Sequence, residues 1–436
     1  MYICFVSPRF HPIIGGVETY LKNIAAHCSK FMNISVITSN LKNPIHIFEK
    51  RHYIKKRYDF IYNKVTIIRS NTLKNPILKI PFYFNDYLNK KLEILFDFLL
   101  NPFLYNRKTK IPQKLSTNIN KFLFYQRIFT NPNFLQIYNI LKKIHLYEKI
   151  DIVHSAPIYL TSNIYAVQFS NKNHIPFICT PFYHINPYTE KIFYPSFQYI
   201  LKKSNAVIAC TLLEKEFYQR YGIDGDKIHI IPPGIDINQY KKSNIEKFKQ
   251  KYNIPNKCPL LLFLGRRTYE KGFPQLILAL KILIRKFKNI KLLIAGAVTR
   301  DFQLFFKDLP NELKNHIIDL GLIDDQGKIS AFSICDVFVL PSLDDAFGIV
   351  YLEAWLFKKP VIGVLEGNVA GLIDDNVNGF LVPFNDIKTL SFKIEILLKD
   401  KNKRDEFGRN GHHKLMSNYV LDIVNRKILD LYKTYL

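Results

Sequence analysis

Short runs of aliphatic, β-branched and aromatic residues alternate along the chain with amphipathic segments of helix length. This alternation is typical of parallel sheets whose strands are joined by crossover helices. A first series of strands is predicted at 2–6, 34–37, 65–69, 150–154, 177–180, 206–210 and 229–231. A second series is predicted at 260–264, 292–295, 317–320, 337–340, 361–363 and 380–382. The pattern therefore predicts an α/β protein with two doubly wound parallel sheets in tandem.

Prolines and a glycine at 232–234 separate the two series of strands, and a lysine-rich segment follows them. Such residues are typical of a domain boundary. We predict an N-terminal domain over 1–235, a C-terminal domain over 236–415 and an amphipathic helix over 416–436. The segment of about 76–135 is too long for an ordinary αβ connection and has helical apolar spacing, so we expect a helical insert there.

The composition narrows the class of protein. The chain has 436 residues, of which 48% are hydrophobic, so it has enough apolar material for large cores and is not predominantly disordered. No apolar stretch approaches the roughly 20 residues of a membrane-spanning helix, and the N-terminus lacks the pattern of a secretory signal. The six cysteines are far apart, without a C-x-x-C motif. We expect a cytoplasmic protein with reduced cysteines.

The charge is strongly positive, with 62 Lys and Arg against 36 Asp and Glu, a net charge of +26. Much of the excess lies within 51–150, where basic residues are interleaved with aromatic and aliphatic ones. This mixture suits an anionic partner such as a phospholipid surface or a lipid-linked phosphate; compositional bias is the alternative. No known nucleic-acid motif is present, so we expect no nucleic-acid partner. The expected location is peripheral, on the cytoplasmic face of the membrane.

Three loops that follow predicted strands carry candidate chemistry. Gly15 and Gly16 precede a helix, where backbone N–H groups can approach a phosphate, although paired glycines at a turn are more often structural. Arg266 and Lys271 lie on the loop after 260–264 and can neutralise a diphosphate without a metal ion. A solvated basic loop is the alternative interpretation.

The third loop carries two carboxylates, Asp345 and Glu353, eight positions apart, with Gly348 between them at the start of a predicted helix. This spacing predicts one carboxylate in the loop, one in the early helix and free backbone donors between them. Carboxylates accept hydrogen bonds from sugar hydroxyls, and free amides suit a phosphate. Stabilisation of the helix dipole would explain Asp345 alone.

These features form part of an ordered set of motifs. The set comprises Gly-Gly-x-Glu (15–18), Cys-Thr-Pro-Phe-Tyr-His (179–184), Ile-Pro-Pro-Gly-Ile-Asp (231–236), Gly-Arg-x4-Lys-Gly (265–272), Pro-Ser-x2-Asp-x-Phe-Gly-x4-Glu-Ala (341–354) and Asn-Gly-Phe-Leu-Val-Pro (378–383). In type and order they resemble glycosyltransferase family 4, the retaining GT-B enzymes that use nucleotide sugars. The resemblance covers nearly the whole chain. It implies two Rossmann-like domains facing across a deep cleft, an acceptor-side one and a nucleotide-sugar-binding one, with the C-terminal helix crossing back to the first.

The resemblance also implies roles for individual residues. The catalytic roles fall on His184 near the donor sugar, on Arg266 and Lys271 at the diphosphate, and on Asp345 at the sugar hydroxyls. The donor-binding roles fall on Gly15, Gly16, Gly265, Phe347, Gly348, Ile349, Val350 and Glu353, with Glu353 at the ribose. Two departures from the family pattern are present: Asp345 replaces the usual Glu, and 297–299 lacks a further glycine that many relatives have.

The implied activity is transfer of a hexose, with retention, from a nucleotide-diphosphate sugar to a glycan or lipid-linked acceptor, in cell-surface glycan, glycolipid or protein glycosylation. We expect no cofactor and no essential metal ion. Two alternatives stay open. One is a GT-B nucleotide-sugar epimerase or a soluble sucrose-type synthase, and the other is a catalytically silent module that binds sugar nucleotides.

Overall fold

Both predicted series of strands are confirmed in the computed structural model. It describes residues 1–8, 10, 15–39, 65–70, 135–158, 162–187, 189, 195–240 and 243–436. Apart from Leu135, the predicted insert at 76–135 lies outside these residues, as does most of the basic range 51–150. The chain forms two compact units. The first comprises Met1–Pro181 and Tyr188–Ala206, and the second comprises Phe182–Pro187 and Val207–Leu436. The predicted domain limits at 235 and 415 stay predictions.

The first sheet contains the strands β1 (Tyr2–Val6), β2 (Asn33–Ser39), β3 (Val65–Ser70), β4 (Ile152–Ser155), β5 (Phe177–Cys179), β6 (Ala206–Ala209) and β7 (Ile228–Ile230). Their order is β3-β2-β1-β4-β5-β6-β7. Among the described residues, the helices of this part of the chain are α1 (Gly16–Cys28), α2 (Leu135–Tyr147), α3 (Ser162–Lys172), α4 (Pro195–Lys203) and α5 (Leu212–Arg220). Strand β1 pairs in parallel with both β2 and β4, as crossover helices require.

The second sheet contains β8 (Leu260–Leu264), β9 (Lys291–Ala295), β10 (Ile317–Gly321), β11 (Val337–Val339), β12 (Val361–Val364) and β13 (Gly379–Val382). Their order is β10-β9-β8-β11-β12-β13, and every pair is parallel. The helices of this part are α6 (Ile245–Lys251), α7 (Phe273–Leu283), α8 (Arg300–Lys307), α9 (Asn311–Lys314), α10 (Asp325–Ile334), α11 (Ile349–Leu356), α12 (Ile387–Lys399), α13 (Lys401–Asn418) and α14 (Leu421–Lys433).

The apolar composition of its strands explains why the chain forms the second sheet. The β8 sequence Leu-Leu-Leu-Phe-Leu has no polar residue, and its first four residues are buried. A parallel sheet covered on both faces needs such continuous apolar strands rather than alternating ones. Side-chain oxygens cap several of the surrounding helices; Asp324 begins α10 by accepting from the Gly327 N–H at 2.8 Å.

The C-terminal helix is anchored within the second unit. Ile235 N–H donates to the Tyr419 carbonyl at 2.9 Å, and Leu421 N–H donates to the Ile235 carbonyl at 2.9 Å. The crossing of this helix onto the first domain stays a prediction. None of the helices in the described part of the chain is long and apolar enough to cross a bilayer. All six cysteines are unpaired and, apart from Cys258, buried, as predicted.

Candidate functional site

The loops that carry most of the predicted site residues follow β8 and β11, which are neighbouring strands of the second sheet. Because the carboxyl ends of parallel strands meet at one edge of a sheet, loop 265–272 and loop 340–348 lie side by side. A backbone hydrogen bond of 2.8 Å from Leu343 N–H to the Glu270 carbonyl joins them. The structure therefore brings the basic loop against the acidic one.

Gly272 makes this close approach possible. Its φ is +73°, in the left-handed region that glycine tolerates best, and it caps the start of α7. A Cβ at this position would lie 2.0 Å from the backbone oxygen of Pro341. No side chain fits between the two loops at this point.

Lys271 connects the two loops chemically. Its side chain is only 10% exposed, and its ammonium donates to the Asp344 carbonyl and, at 2.9 Å, to Asp345 Oδ1. An ammonium group has three donors, so one remains for a ligand. Asp345 Oδ2 is buried and accepts no hydrogen bond from any residue that the structure describes. A bound hydroxyl would satisfy this oxygen.

The two arginines that follow Gly265 have different environments. Arg266 is exposed, whereas Arg267 is buried and forms a two-pronged ion pair with Asp319, with 2.6 Å from Nη1 to Oδ2. The Arg267 guanidinium also lies 4.8 Å from the ring centroid of Phe302. Arg266 is thus accessible to a ligand, and Arg267 stabilises the loop. Sequence reasoning did not identify the role of Arg267, because adjacent arginines carry no signal of which one is buried.

His184 lies in the second unit and forms a hydrogen bond from Nδ1 to Asp344 Oδ1 of 2.7 Å. Burial raises the pKa of Asp344, but the hydrogen bond to His184 and the positive charges of His184, Lys271 and Arg266 lower it by more, so the pKa lies well below its usual range. An ionised carboxylate only accepts hydrogen bonds, so His184 Nδ1 carries the proton. Asp344 was not predicted as a site residue, since its partner is 160 positions away.

Asn368 holds the backbone on both sides of His184. Its Oδ1 accepts from Ile185 N–H at 2.8 Å, and its Nδ2 donates to the Tyr183 carbonyl at 2.9 Å. The same Nδ2 donates to the Ala346 carbonyl at 2.8 Å. This buried amide therefore ties the His184 segment to the loop that bears Asp345, and no motif in the sequence pointed to it.

Glu214 holds the same segment from another side. Its carboxylate is fully buried and accepts from Cys210 N–H at 2.5 Å, from the Tyr218 hydroxyl and from Tyr183 N–H. Burial raises the pKa of Glu214 to about 7, although the hydrogen bonds from Tyr218, Cys210 and Tyr183 oppose the shift. The position of the His184 segment thus depends in part on a carboxyl group that titrates near neutral pH.

Glu214 is expected to make stability depend on pH. The folded chain keeps the Glu214 proton up to about pH 7, whereas an unfolded glutamate loses it near pH 4.3. The contribution is therefore full below about pH 4.3, falls as the pH rises to about 7 and is constant above that. Relative to Glu214→Gln, the wild type should lose about 3 kcal/mol of unfolding free energy between pH 4.5 and pH 7.5, measured by urea denaturation. Parallel pH profiles of the two proteins would contradict this.

The second predicted carboxylate, Glu353, lies on α11. Its side chain is 6% exposed, and Oε1 accepts from the Tyr240 hydroxyl at 2.7 Å and from Lys328 Nζ at 2.8 Å. Oε2 is buried and accepts no hydrogen bond within the described part of the chain. Like Asp345, Glu353 has one oxygen bound to a lysine and one that a ligand hydroxyl can use.

Helix α11 begins at Ile349, after Gly348 with φ +89°. The N–H groups of Ile349 and Val350 have no acceptor four residues earlier, so they suit an anion. Phe347 is 2% exposed, and its ring packs against Tyr419 with 5.8 Å between centroids; its side chain therefore contributes packing.

The paired glycines of the first predicted loop lie in the first unit. Gly15 has extended backbone and caps α1, which begins at Gly16. The predicted phosphate contact of these two residues stays a prediction. Gly265 begins the basic loop, and its N–H donates to the Ala295 carbonyl at 3.0 Å.

Comparison with known proteins agrees with this architecture. A family model described as glycosyl transferases group 1 matches residues 244–414, and one described as glycosyltransferase family 4 matches residues 108–239. The capsular polysaccharide biosynthesis glycosyltransferase CapM of Staphylococcus aureus is 31% identical over 214 residues, which are 47% of this chain and 53% of CapM. A D-inositol 3-phosphate glycosyltransferase of Xylanimonas cellulosilytica is 25% identical, over 53% of this chain and 58% of that protein. The chain thus spans about half the length of these curated relatives.

Among solved structures, Anabaena Alr3699/HepE in complex with UDP matches with a TM-score of 0.69 and 18% identity, covering 100% of both chains. Sucrose-phosphate synthase of Thermosynechococcus elongatus matches with a TM-score of 0.71 and 17% identity, covering 99% of this chain and 98% of that one. These likenesses show the fold, which is GT-B with two Rossmann-like parallel sheets. The two family models, which together match residues 108–239 and 244–414, show that the chain belongs to the group 1, family 4 glycosyltransferases.

Proposed function

We propose that the protein transfers a sugar from a nucleoside-diphosphate sugar to a glycan or lipid-linked acceptor, with retention at the anomeric carbon. One observation carries the proposal. Asp345 and Glu353 are each bound by a lysine through one oxygen, and each keeps a second, buried oxygen without a partner among the described residues. Buried acceptors of this kind suit the hydroxyl groups of a sugar and a ribose.

The charges around the acids support cleavage of a sugar–diphosphate bond. Negative charge develops on the diphosphate as this bond breaks, and fixed cations stabilise it without reorganisation. Lys271 and Arg266 supply such cations, and the N–H groups at the start of α11 supply further donors. We propose that no metal ion is needed for this step. For retention, the leaving diphosphate takes the acceptor proton, so no protein nucleophile is required.

The first donors to test follow from the relatives. HepE was solved with UDP and with UDP-glucose, so we propose a uridine nucleotide as the first candidate. CapM acts in capsular polysaccharide biosynthesis by its name, which favours a cell-surface glycan or its lipid-linked precursor as acceptor. The basic, aromatic sequence over 51–150 supports an anionic acceptor or membrane surface on the cytoplasmic side.

A binding screen tests the proposal. The dissociation constants of UDP, GDP, ADP and their sugar conjugates are measured by calorimetry, once with EDTA and once with Mg²⁺. We expect one nucleotide to bind in both conditions and Glu353→Gln to weaken it about tenfold. Glu395→Gln, which removes a carboxylate on α12 paired with Lys286 and Lys399, is the matched control and should leave binding unchanged.

Three outcomes of the screen would count against the proposal. Failure of every nucleotide to bind the wild type would overturn the donor site. Binding followed by a change in the nucleotide sugar without any acceptor would instead identify an epimerase. Binding without turnover on any acceptor would point to the silent module.

A further inference from the structure

The side chains around Glu353 leave it a single usable oxygen. A carboxylate oxygen has two lone pairs, and the Tyr240 hydroxyl and Lys328 Nζ use both of those on Oε1. Oε2 is buried and accepts nothing from the described residues. Any ligand hydroxyl that reaches Glu353 therefore meets Oε2.

Tyr240 and Lys328 are well placed to fix this arrangement. Tyr240 follows the 3₁₀ turn Ile237–Gln239, and its ring packs edge-on against Phe357 with 6.3 Å between centroids. Lys328 lies on α10, with Asp325 Oδ1 at 3.4 Å as its other partner. Two elements distant in the sequence thus converge on one oxygen of a third.

The charges nearby keep the lysine positive. Burial lowers the pKa of Lys328, but the carboxylates of Glu353 and Asp325 raise it by more, so the net shift is upward. Burial raises the pKa of the Tyr240 hydroxyl, and the charges of Glu353, Asp325 and Asp236 raise it further. Tyr240 therefore acts as a neutral donor and Lys328 as a charged one.

We propose that Tyr240 and Lys328 are positioning residues of the nucleotide site: they hold Glu353 so that it recognises the ribose hydroxyls through Oε2 alone. This inference rests on the proposed function, since it assigns the ligand of Glu353 to a nucleoside diphosphate. Neither residue belongs to the motifs that identified the site. Both act through Glu353 rather than on the reacting atoms.

Removal of the Lys328 charge is expected to affect nucleotide binding in a way that loss of a purely structural residue would not. Without the Lys328 cation, Glu353 is a buried carboxylate whose charge is not neutralised, so a proton competes for it as the pH falls. A protonated Glu353 accepts hydroxyls poorly. Loss of Lys328 is therefore expected to make nucleotide affinity depend on pH. It should also reduce discrimination between a ribose and a sugar that lacks the 2′- and 3′-hydroxyls.

The experiment compares two ligands at two pH values. The dissociation constants of UDP and 2′,3′-dideoxy-UDP are measured at pH 5.5 and 7.5, with the GDP or ADP pair in their place if the screen selects that nucleotide. The wild type should bind UDP about tenfold more tightly than the dideoxy compound at both pH values. Lys328→Met should weaken UDP about tenfold at pH 7.5 and more at pH 5.5, with little change for the dideoxy compound.

Two further variants make the result decisive. Tyr240→Phe keeps the ring packing and loses only the hydroxyl, so UDP should weaken about threefold to fivefold without a new pH dependence. Lys433→Met removes a surface lysine paired with Asp430 at 3.3 Å and should change nothing. Thermal unfolding confirms that each variant is folded.

Each outcome has a distinct meaning. If Glu353→Gln loses discrimination but Lys328→Met and Tyr240→Phe keep it at both pH values, the positioning roles are wrong and the proposed function stands. An equal loss for UDP and the dideoxy compound in both variants would show a general structural role and overturn the inference. If the wild type binds no nucleotide, the proposed function fails and the inference fails with it.

Discussion

Replacing Lys271 with methionine is expected to lower the rate of sugar transfer about 10³-fold. The ammonium is buried between two loops, bound to the Asp344 carbonyl and to Asp345 Oδ1. In the proposed function, the remaining N–H donor of this charged ammonium contacts the leaving diphosphate. Methionine has a similar length and packs in its place, but it supplies neither the charge nor the hydrogen bonds. Asp345 then also loses its partner.

The rate is measured as nucleoside diphosphate released from the donor that the binding screen selects, with water as acceptor until a glycan acceptor is known. Lys286→Met is the matched control, because Lys286 forms a surface ion pair with Glu395 in the same unit; its rate should equal that of the wild type. A wild-type rate in folded Lys271→Met would remove Lys271 from the mechanism. A loss confined to KM would assign it to ground-state binding.

The second large effect is expected on stability, from Gly272→Ala. Two penalties combine at this position. Alanine is strained at φ +73°, and its Cβ would lie 2.0 Å from the Pro341 backbone oxygen, which cannot rotate away. We expect a loss of about 3 to 4 kcal/mol in the free energy of unfolding, measured from urea denaturation.

Gly321→Ala separates the two penalties. Gly321 has a similar φ of +68°, but a Cβ there would meet nothing within 4 Å. This variant should lose only the cost of the left-handed backbone, about 1 kcal/mol. Equal losses in the two variants would mean that the loop at Pro341 yields without cost, and that the close approach of the two loops is not tightly held.

The fold and the local site motifs were accessible to sequence reasoning because both depend on short-range patterns. Continuous apolar runs such as β8 predict buried parallel strands wherever they occur. Lys271 and Asp345 lie on loops directly after such strands. Because the carboxyl ends of parallel strands meet at one edge of a sheet, the sheet alone accounts for their contact. The lysine was predicted to bind a diphosphate, and its second role, as the partner of the acid, required the coordinates.

The residues that sequence reasoning missed all act across long separations. Asn368 reaches backbone groups 183 and 185 positions away, and Tyr240 reaches Glu353 over 113 positions. A single amide or phenol side chain forms no periodic pattern in the sequence that would indicate which residue it contacts. Asp344 adjoins a motif acid, but only the folded chain shows that it, and not Asp345, binds His184.

The lysines that hold the two acids have a consequence for how a donor is recognised. Lys271 balances the charge of Asp345, and Lys328 balances that of Glu353. Each pair is neutral before any ligand arrives. In the proposed site, the two acids would therefore accept hydroxyl groups without repelling an incoming diphosphate. Arg266, on the same loop as Lys271, keeps an exposed positive charge that can attract the diphosphate. Because the charge of an exposed side chain is screened over about 8 Å at physiological ionic strength, the attraction between Arg266 and a diphosphate acts mainly at short range.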